Sequence, residues 1–550
     1  MKRFLSLITL SVSITLLSGC ASRPPKQTDP ALTELRNLGK HSFKVSTRSS
    51  EAQRAFDRGL NLAYSFGYFA AEQEFRRALK SDPECAMAWW GIALVNGPHI
   101  NFPMVPPKNA ARAWEALSNA KARAYLASPL EQALINALSK RYANPQPEDR
   151  KPLDVAYADA MRQVWHDYPK NADVGTLCAE SLMDLHPWDF WTKAGAQPWT
   201  PEIASTLERA LELNPNHPGA NHLYIHAMEA SANPGKAVVA ADTLRTLVPG
   251  AGHMVHMPAH IYVRVGRWDD AATANRDAMK IDARYRTAYP RPGFYAIYML
   301  HNAHFLAFAA MMQGRSDEAL KVARGMVAGV PEDFRQDFAA VADGYMIFVS
   351  EVLMRFGRWE EVLAEPQPPS EFPLARALWH FTRTSALTSL NRMDEARSEK
   401  TAFDKAAEAV PKGHTFGNNS AADILAIATR VLDGEMLARE GKLDAAIASL
   451  REAVGLEDKL RYDEPPDWIQ PVRHTLGAVL LKANQPAEAE NAYRQDLEKF
   501  PDNGWSLLGL RDSLRRQGKE SEAAKVDRQL KKSWATADIK PTATCYCQAN

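Results

Sequence analysis

Seven of the chain's 15 histidines fall between residues 222 and 304. His222 and His226 stand four apart, and 34 residues later His256 and His260 repeat the pair. His253, His301 and His304 complete the group. Residues four apart share one face of a helix, so each pair can present two imidazoles together. A neighbouring helix about 8–10 Å away can set the second pair against the first. Metal–nitrogen bonds of about 2 Å can then close the opposed pairs on an ion. Four histidines satisfy one ion. Seven, with Glu180 or Glu229, serve two ions, or one ion and the groups that orient its ligands. Imidazole-rich ligation suits copper, zinc, iron or nickel and disfavours calcium and magnesium. A groove that grips a peptide or an envelope protein with the same rings is the alternative from another class. A metal-free enzyme that uses His/Glu pairs as acid and base is a third.

The elements that must position these rings come from an internal repeat. In residues 52–85, Gly59, Ala71, Phe75, Ala78 and Pro83 occupy offsets 8, 20, 24, 27 and 32. Small residues at 8 and 20 let two helices approach, larger apolar ones fill the seam, and proline ends the second helix. This pattern resembles the tetratricopeptide (TPR) repeat, a 34-residue helix–turn–helix unit. It recurs along the chain, with a turn residue at offset 15 in the later units: Gly357, Asn391, Gly441, Asn484 and Gly518. Alternating β-branched runs are absent over any length. The expected fold is therefore all-α, a TPR-type solenoid of antiparallel helix pairs. Residues 97–108, 286–299 and an overlong unit at 172–217 insert loops, and two of them flank the histidines.

The resemblance also implies that offsets 2, 5, 9 and 12 line the concave face. On that register His222, His226, His253, His256, His260, His301 and His304 all lie there, as do Glu180 and Glu229. Pro258 falls between His256 and His260 and removes a helical hydrogen bond, so that helix starts late or kinks there. Asn275 is placed to satisfy the backbone it frees. Weaker candidates surround the stripe. Met254 and Met257 are soft ligands or core filler. His186 and Trp188 wall a pocket or bury their own loop, and Arg264 neutralises an anion or is solvated. His474 reads as surface. No Gly-x-Ser-x-Gly, phosphate loop, dinucleotide fingerprint or His-Glu-x-x-His appears.

The N-terminus reads as a targeting segment. Lys2 and Arg3 precede an apolar run from Phe4 to Leu17, too short to favour a permanent span. Leu17-Ser18-Gly19-Cys20 follows and resembles the lipobox of bacterial lipoproteins. The resemblance implies lipid on Cys20 and, with Ala21 after it, an outer-membrane anchor facing the periplasm. The chain as a whole resembles exported bacterial TPR lipoproteins. The layout is a signal peptide (1–19), a lipidated cysteine and flexible tether (20–50), an N-terminal array carrying the histidines (51–340), a C-terminal array (341–537) and a tail (538–550). The 66 basic residues against 65 acidic ones favour neither nucleic acid nor a polybasic membrane surface. The anchor alone connects the chain to a membrane. Cys85 and Cys178 read as core thiols. Cys545 and Cys547, in the tail, are a candidate soft ligand pair or redox pair that completes the site if the tail folds back into the groove.

Overall fold

The computed structural model describes residues 35–545 and 547. The signal segment, Cys20 and the first part of the tether lie outside the described residues. The fold is all-α, and the described sheet is confined to two ladders of two-residue strands. Consecutive antiparallel helices stack into an array, starting with Ser50–Ala63 against Tyr68–Ser81. The small residues of the repeat are there for close approach. Gly59, and Gly91 on the next helix, both face the Phe75 ring, and an added Cβ would lie 2.6 Å and 2.7 Å from it. One continuous apolar core runs from Leu38 to Leu530.

The turn at offset 15 is left-handed in unit after unit. Gly266, Gly314, Gly357, Asn391, Gly441, Asn484 and Gly518 have φ between 57° and 79°. Glycine and asparagine adopt this conformation at little cost and end the first helix of each pair. The first unit departs from the rule: Phe66 holds the same position at φ 54°. A bulky residue there costs about 1–2 kcal/mol. Among the described residues, the other bulky one with positive φ is Trp188, at φ 58°.

Pro258 interrupts its helix as expected. One segment covers Gly252–His256 and the next Pro258–Arg264, with Met257 as the joint. The expected tether differs from its description. Leu38, Phe43 and Val45 are buried, so the part of it after residue 37 packs onto the array.

The superhelix closes on itself. The indoles of Trp268, Trp505 and Trp534 donate to the carbonyls of Pro501, Met311 and Met312. Asp538 accepts from the backbone of Ser316 and Asp317 at a helix N-terminus. The loop between Leu443–Glu457 and Val472–Lys482 thereby reaches the histidine stripe.

Candidate metal centre

The stripe is not an open groove. His222, His226, His253, His256 and His260 are each at most 3% exposed. The inserted segments supply the cover. His99, from the 97–108 loop, stacks on Phe66. Trp188 sets its ring edge against His226 at 5.1 Å, and Tyr298 lies 4.5 Å from His253. Asn101 ties these segments together, accepting from the Trp188 indole and donating to the Tyr298 hydroxyl. Phe66 also stacks on His226 and His253. Both strained aromatic positions thus face the imidazoles, which is where a fold retains backbone strain.

Inside the cover, six histidines sort into two sets of three: His222, His226, His253, and His256, His260, His301. In the first set His253 Nε2 lies 3.2 Å from His222 Nε2. In the second, His260 Nε2 lies 2.9 Å from His256 Nε2 and 3.3 Å from His301 Nε2. The rings of each i,i+4 pair are 4.8 Å apart in both helices, so the break at Met257 does not spoil the second pair. Each pair closes with a residue from the first helix of the next repeat unit, rather than with the other pair as the spacing suggests.

The second nitrogen of each paired ring decides what the first can do. His222 Nδ1 lies 2.6 Å from the Tyr64 carbonyl. His226 Nδ1 lies 2.8 Å from Glu229 Oε1. His256 Nδ1 lies 2.7 Å from Asn275 Oδ1, and the Asn275 amide nitrogen donates to the Ala271 carbonyl, which fixes oxygen toward the ring. His260 Nδ1 lies 2.6 Å from Glu229 Oε2 and 3.5 Å from Glu464 Oε2. Pure acceptors therefore hold a proton on the Nδ1 atoms of His222, His226 and His256, and the nearby Glu229 carboxylate draws one to that of His260. The Nε2 atoms are turned inward, the arrangement that orients metal-ligating imidazoles. His226 Nε2, His253 Nδ1 and His260 Nδ1 are buried without a hydrogen bond inside the protein, and such buried orphans cost about 1–3 kcal/mol each. Tetrahedral ligation at about 2.0–2.1 Å puts nitrogens about 3.3 Å apart, close to the 2.9–3.3 Å spacings here. The donor set fits a transition-metal ion.

Burial governs the electrostatics. It holds the His222, His253, His256 and His301 imidazoles well below the usual range, and their cationic forms would also repel one another. His260 goes the other way. Burial lowers it, but Glu229 and Glu464 outweigh that and raise it to about 10. Burial likewise pushes Glu229 up, and His260 and His226 more than offset it, down to about 2. Glu229 is thus a buried anion serving one histidine of each set.

No family model matches the chain, and no curated protein matches it. Solved structures similar to it include a human IFIT1 dimer with PPP-AAAA, 13% identical over 91% of this chain and 99% of that one, TM-score 0.32. The APC/C hetero-tetramer Cut9–Hcn1 is 14% identical over 89% and 78%, TM-score 0.32. Yeast Tom70 is 12% identical over 88% and 90%, TM-score 0.28.

Several expected residues stand elsewhere. His304 packs edge-on against Phe348 and Tyr345, and burial takes its pKa down to about 3. Its helical partner four residues on is Phe308, so no pair forms. Glu180 accepts from the Tyr68 hydroxyl at 3.2 Å, outside both sets, and burial pushes its carboxyl up. Cys545 and Cys547 form a disulfide beside Glu435, away from the histidines. Met254 and Met257 are core. Arg264 donates to the carbonyls of Glu229 and Ser231. His186 stacks on Trp199 of its own loop. His474, read as surface, is buried against Asp496 at 2.9 Å. Two residues escape a reading by repeats. Glu464 carries no repeat signal and arrives only because the superhelix closes. His99 lies in a proline-rich loop, outside every unit.

Proposed function

We propose that this protein binds transition-metal ions, copper or zinc before iron, in the two imidazole sets of a lipid-anchored helical-repeat protein of the bacterial envelope. One observation carries the reading: four buried rings, each held at Nδ1 by an oxygen, turn their Nε2 atoms toward common points. Hydrogen bonding inside the protein satisfies it only in part: His260, charged beside Glu229 and Glu464, donates from Nε2 to His256, and His226 Nε2 has no partner. A metal ion takes all the Nε2 atoms. Burial argues against the peptide-groove alternative for these residues, since a partner would first have to displace Trp188, Tyr298 and Glu464.

Ion binding would not involve Glu180, His304 or the cysteine pair. The anchor rests on Leu17-Ser18-Gly19-Cys20 alone. Among the described residues no helix is long and apolar enough to cross a membrane.

The test is metal analysis of protein purified without a histidine tag, followed by titration of stripped protein. Tight binding in the wild type, weakened in both His222→Ala and His260→Ala, is the expected result. Finding no transition-metal binding in wild type, or unchanged affinity in both variants, sinks the proposal.

A further inference from the structure

The two sets are copies of one device. Counted within the repeat, the first consists of offsets 5 and 9 of the unit starting at Pro218 and offset 2 of the next, His253. The second is offsets 5 and 9 of the unit starting at Gly252 and offset 2 of the next, His301. The repeat operation that carries one helix pair to the next therefore carries one three-imidazole set to the other. The 286–299 insertion displaces His301 in sequence without breaking the register. The copies end where the pattern ends. One unit later Phe308 stands at offset 9, and one unit earlier Thr176 and Glu180 hold offsets 5 and 9.

Resting on the metal-binding reading above, we infer that the protein holds two ions side by side, three imidazoles to each, and that together they bind one small bridging ligand of the azide, hydroxide or dioxygen class. Three features support this. First, the sets adjoin along two edges. His226 and His260 have ring centroids 5.9 Å apart, and His253 and His256 6.0 Å apart. Second, Glu229 supports both, with one oxygen on His226 and the other on His260. A single buried carboxylate on the rear nitrogens of both sets offsets charge without occupying a coordination position. Third, three protein donors leave at least one position on each ion, the ligand count of sites that bind exogenous molecules.

The surroundings limit that molecule's size. Phe305 lies against His256, His260 and His301, and Phe66 against the first set.

The test uses the full untagged chain, stripped of metal and titrated with Cu(II). Wild type is expected to take up two ions per chain. His226→Ala and His260→Ala are each expected to retain one. One-ion samples should give full copper paramagnetic resonance intensity, and the two-ion sample should lose most of it on adding azide, as magnetic coupling through a bridge requires. Saturation at one ion that both variants abolish would mean a single shared ion and overturn the inference, while leaving metal binding intact. Two ions with full resonance intensity and no response to azide would overturn the bridge. No binding at all would instead refute the reading on which the inference rests.

Discussion

A second histidine cluster in the same molecule shows what distinguishes the first. His41, Asp173 and His217 gather as closely as either imidazole set. Their protons point the other way. His217 Nδ1 accepts from the Ala220 backbone at 3.1 Å, so its proton sits on Nε2, which faces Asp173 Oδ1 at 3.1 Å. His41 Nε2 lies 2.8 Å from the same oxygen, and the Tyr64 hydroxyl donates to it at 2.9 Å. Two donors, His41 and Tyr64, bond one carboxylate oxygen, and His217 Nε2 stands 3.1 Å from it. In the repeat cluster, acceptors face the Nδ1 atoms and the Nε2 atoms converge instead. Residue composition does not separate the two; the location of each ring's proton does. The first arrangement fastens the segment around His41 to the array, and the second is where the proposed ions would bind.

The strongest way to break this contrast is to remove metal. An ion held at a free concentration a thousand times its Kd stabilises a fold by about 4 kcal/mol. Stripping two ions should therefore lower unfolding stability by several kcal/mol in thermal denaturation. An unchanged midpoint would put the repeat cluster in the same class as the His41 cluster. Next, Asp173→Ala leaves His41, His217 and Tyr64 facing a lost acceptor. Breaking such a buried pair costs about 3–5 kcal/mol, visible in denaturant unfolding, while metal content stays at the wild-type level. Loss of metal in this variant would blur the distinction.

Smaller effects divide the repeat cluster itself. Glu229→Gln should weaken both sets about 10–100-fold, and Asn275→Ala only the set containing His256, since partners of this kind carry that much affinity. Competition titrations would read both. The smallest effect concerns pH. Burial holds the His217 imidazole below its unfolded value, against the pull of Asp173. The docked state is therefore favoured above about pH 6.5 and loses stability as pH falls toward the folded value. Each tenfold difference in proton affinity between the folded and unfolded chain is worth about 1.4 kcal/mol. Amide protection factors over residues 38–47, taken relative to the intrinsic rate at each pH, should fall between pH 7 and 5. His217→Asn keeps the helix cap and should flatten that trend.

Most of the fold was legible because a 34-residue period leaves packing marks: Gly59 and Gly91 against Phe75, and glycine or asparagine at the left-handed turns. The histidine stripe was legible for the same reason, since offsets translate directly into a face. Grouping was not. Pairing by i,i+4 suggested opposed pairs, but the third ring of each set comes from offset 2 of the next unit, a relation between helices. Burial was not legible either. It arises from loops outside the repeat and from a C-terminal array that folds back, and no local pattern announces a contact such as Glu464 with His260, across 204 positions in sequence. His304 shared the register and still stands apart, because Phe308 rather than histidine lies one turn beyond it.

The ring formed by the closing superhelix has a further consequence, for time rather than affinity. An ion enclosed behind Trp188, Tyr298 and the Glu464 loop leaves only when one of those segments opens, so exchange follows local unfolding. Residence is then set by three indole–carbonyl latches well away from the ligands. Loosening Trp505 or Trp534 would speed release without touching an imidazole, and the C-terminal repeats act as the clock of the site.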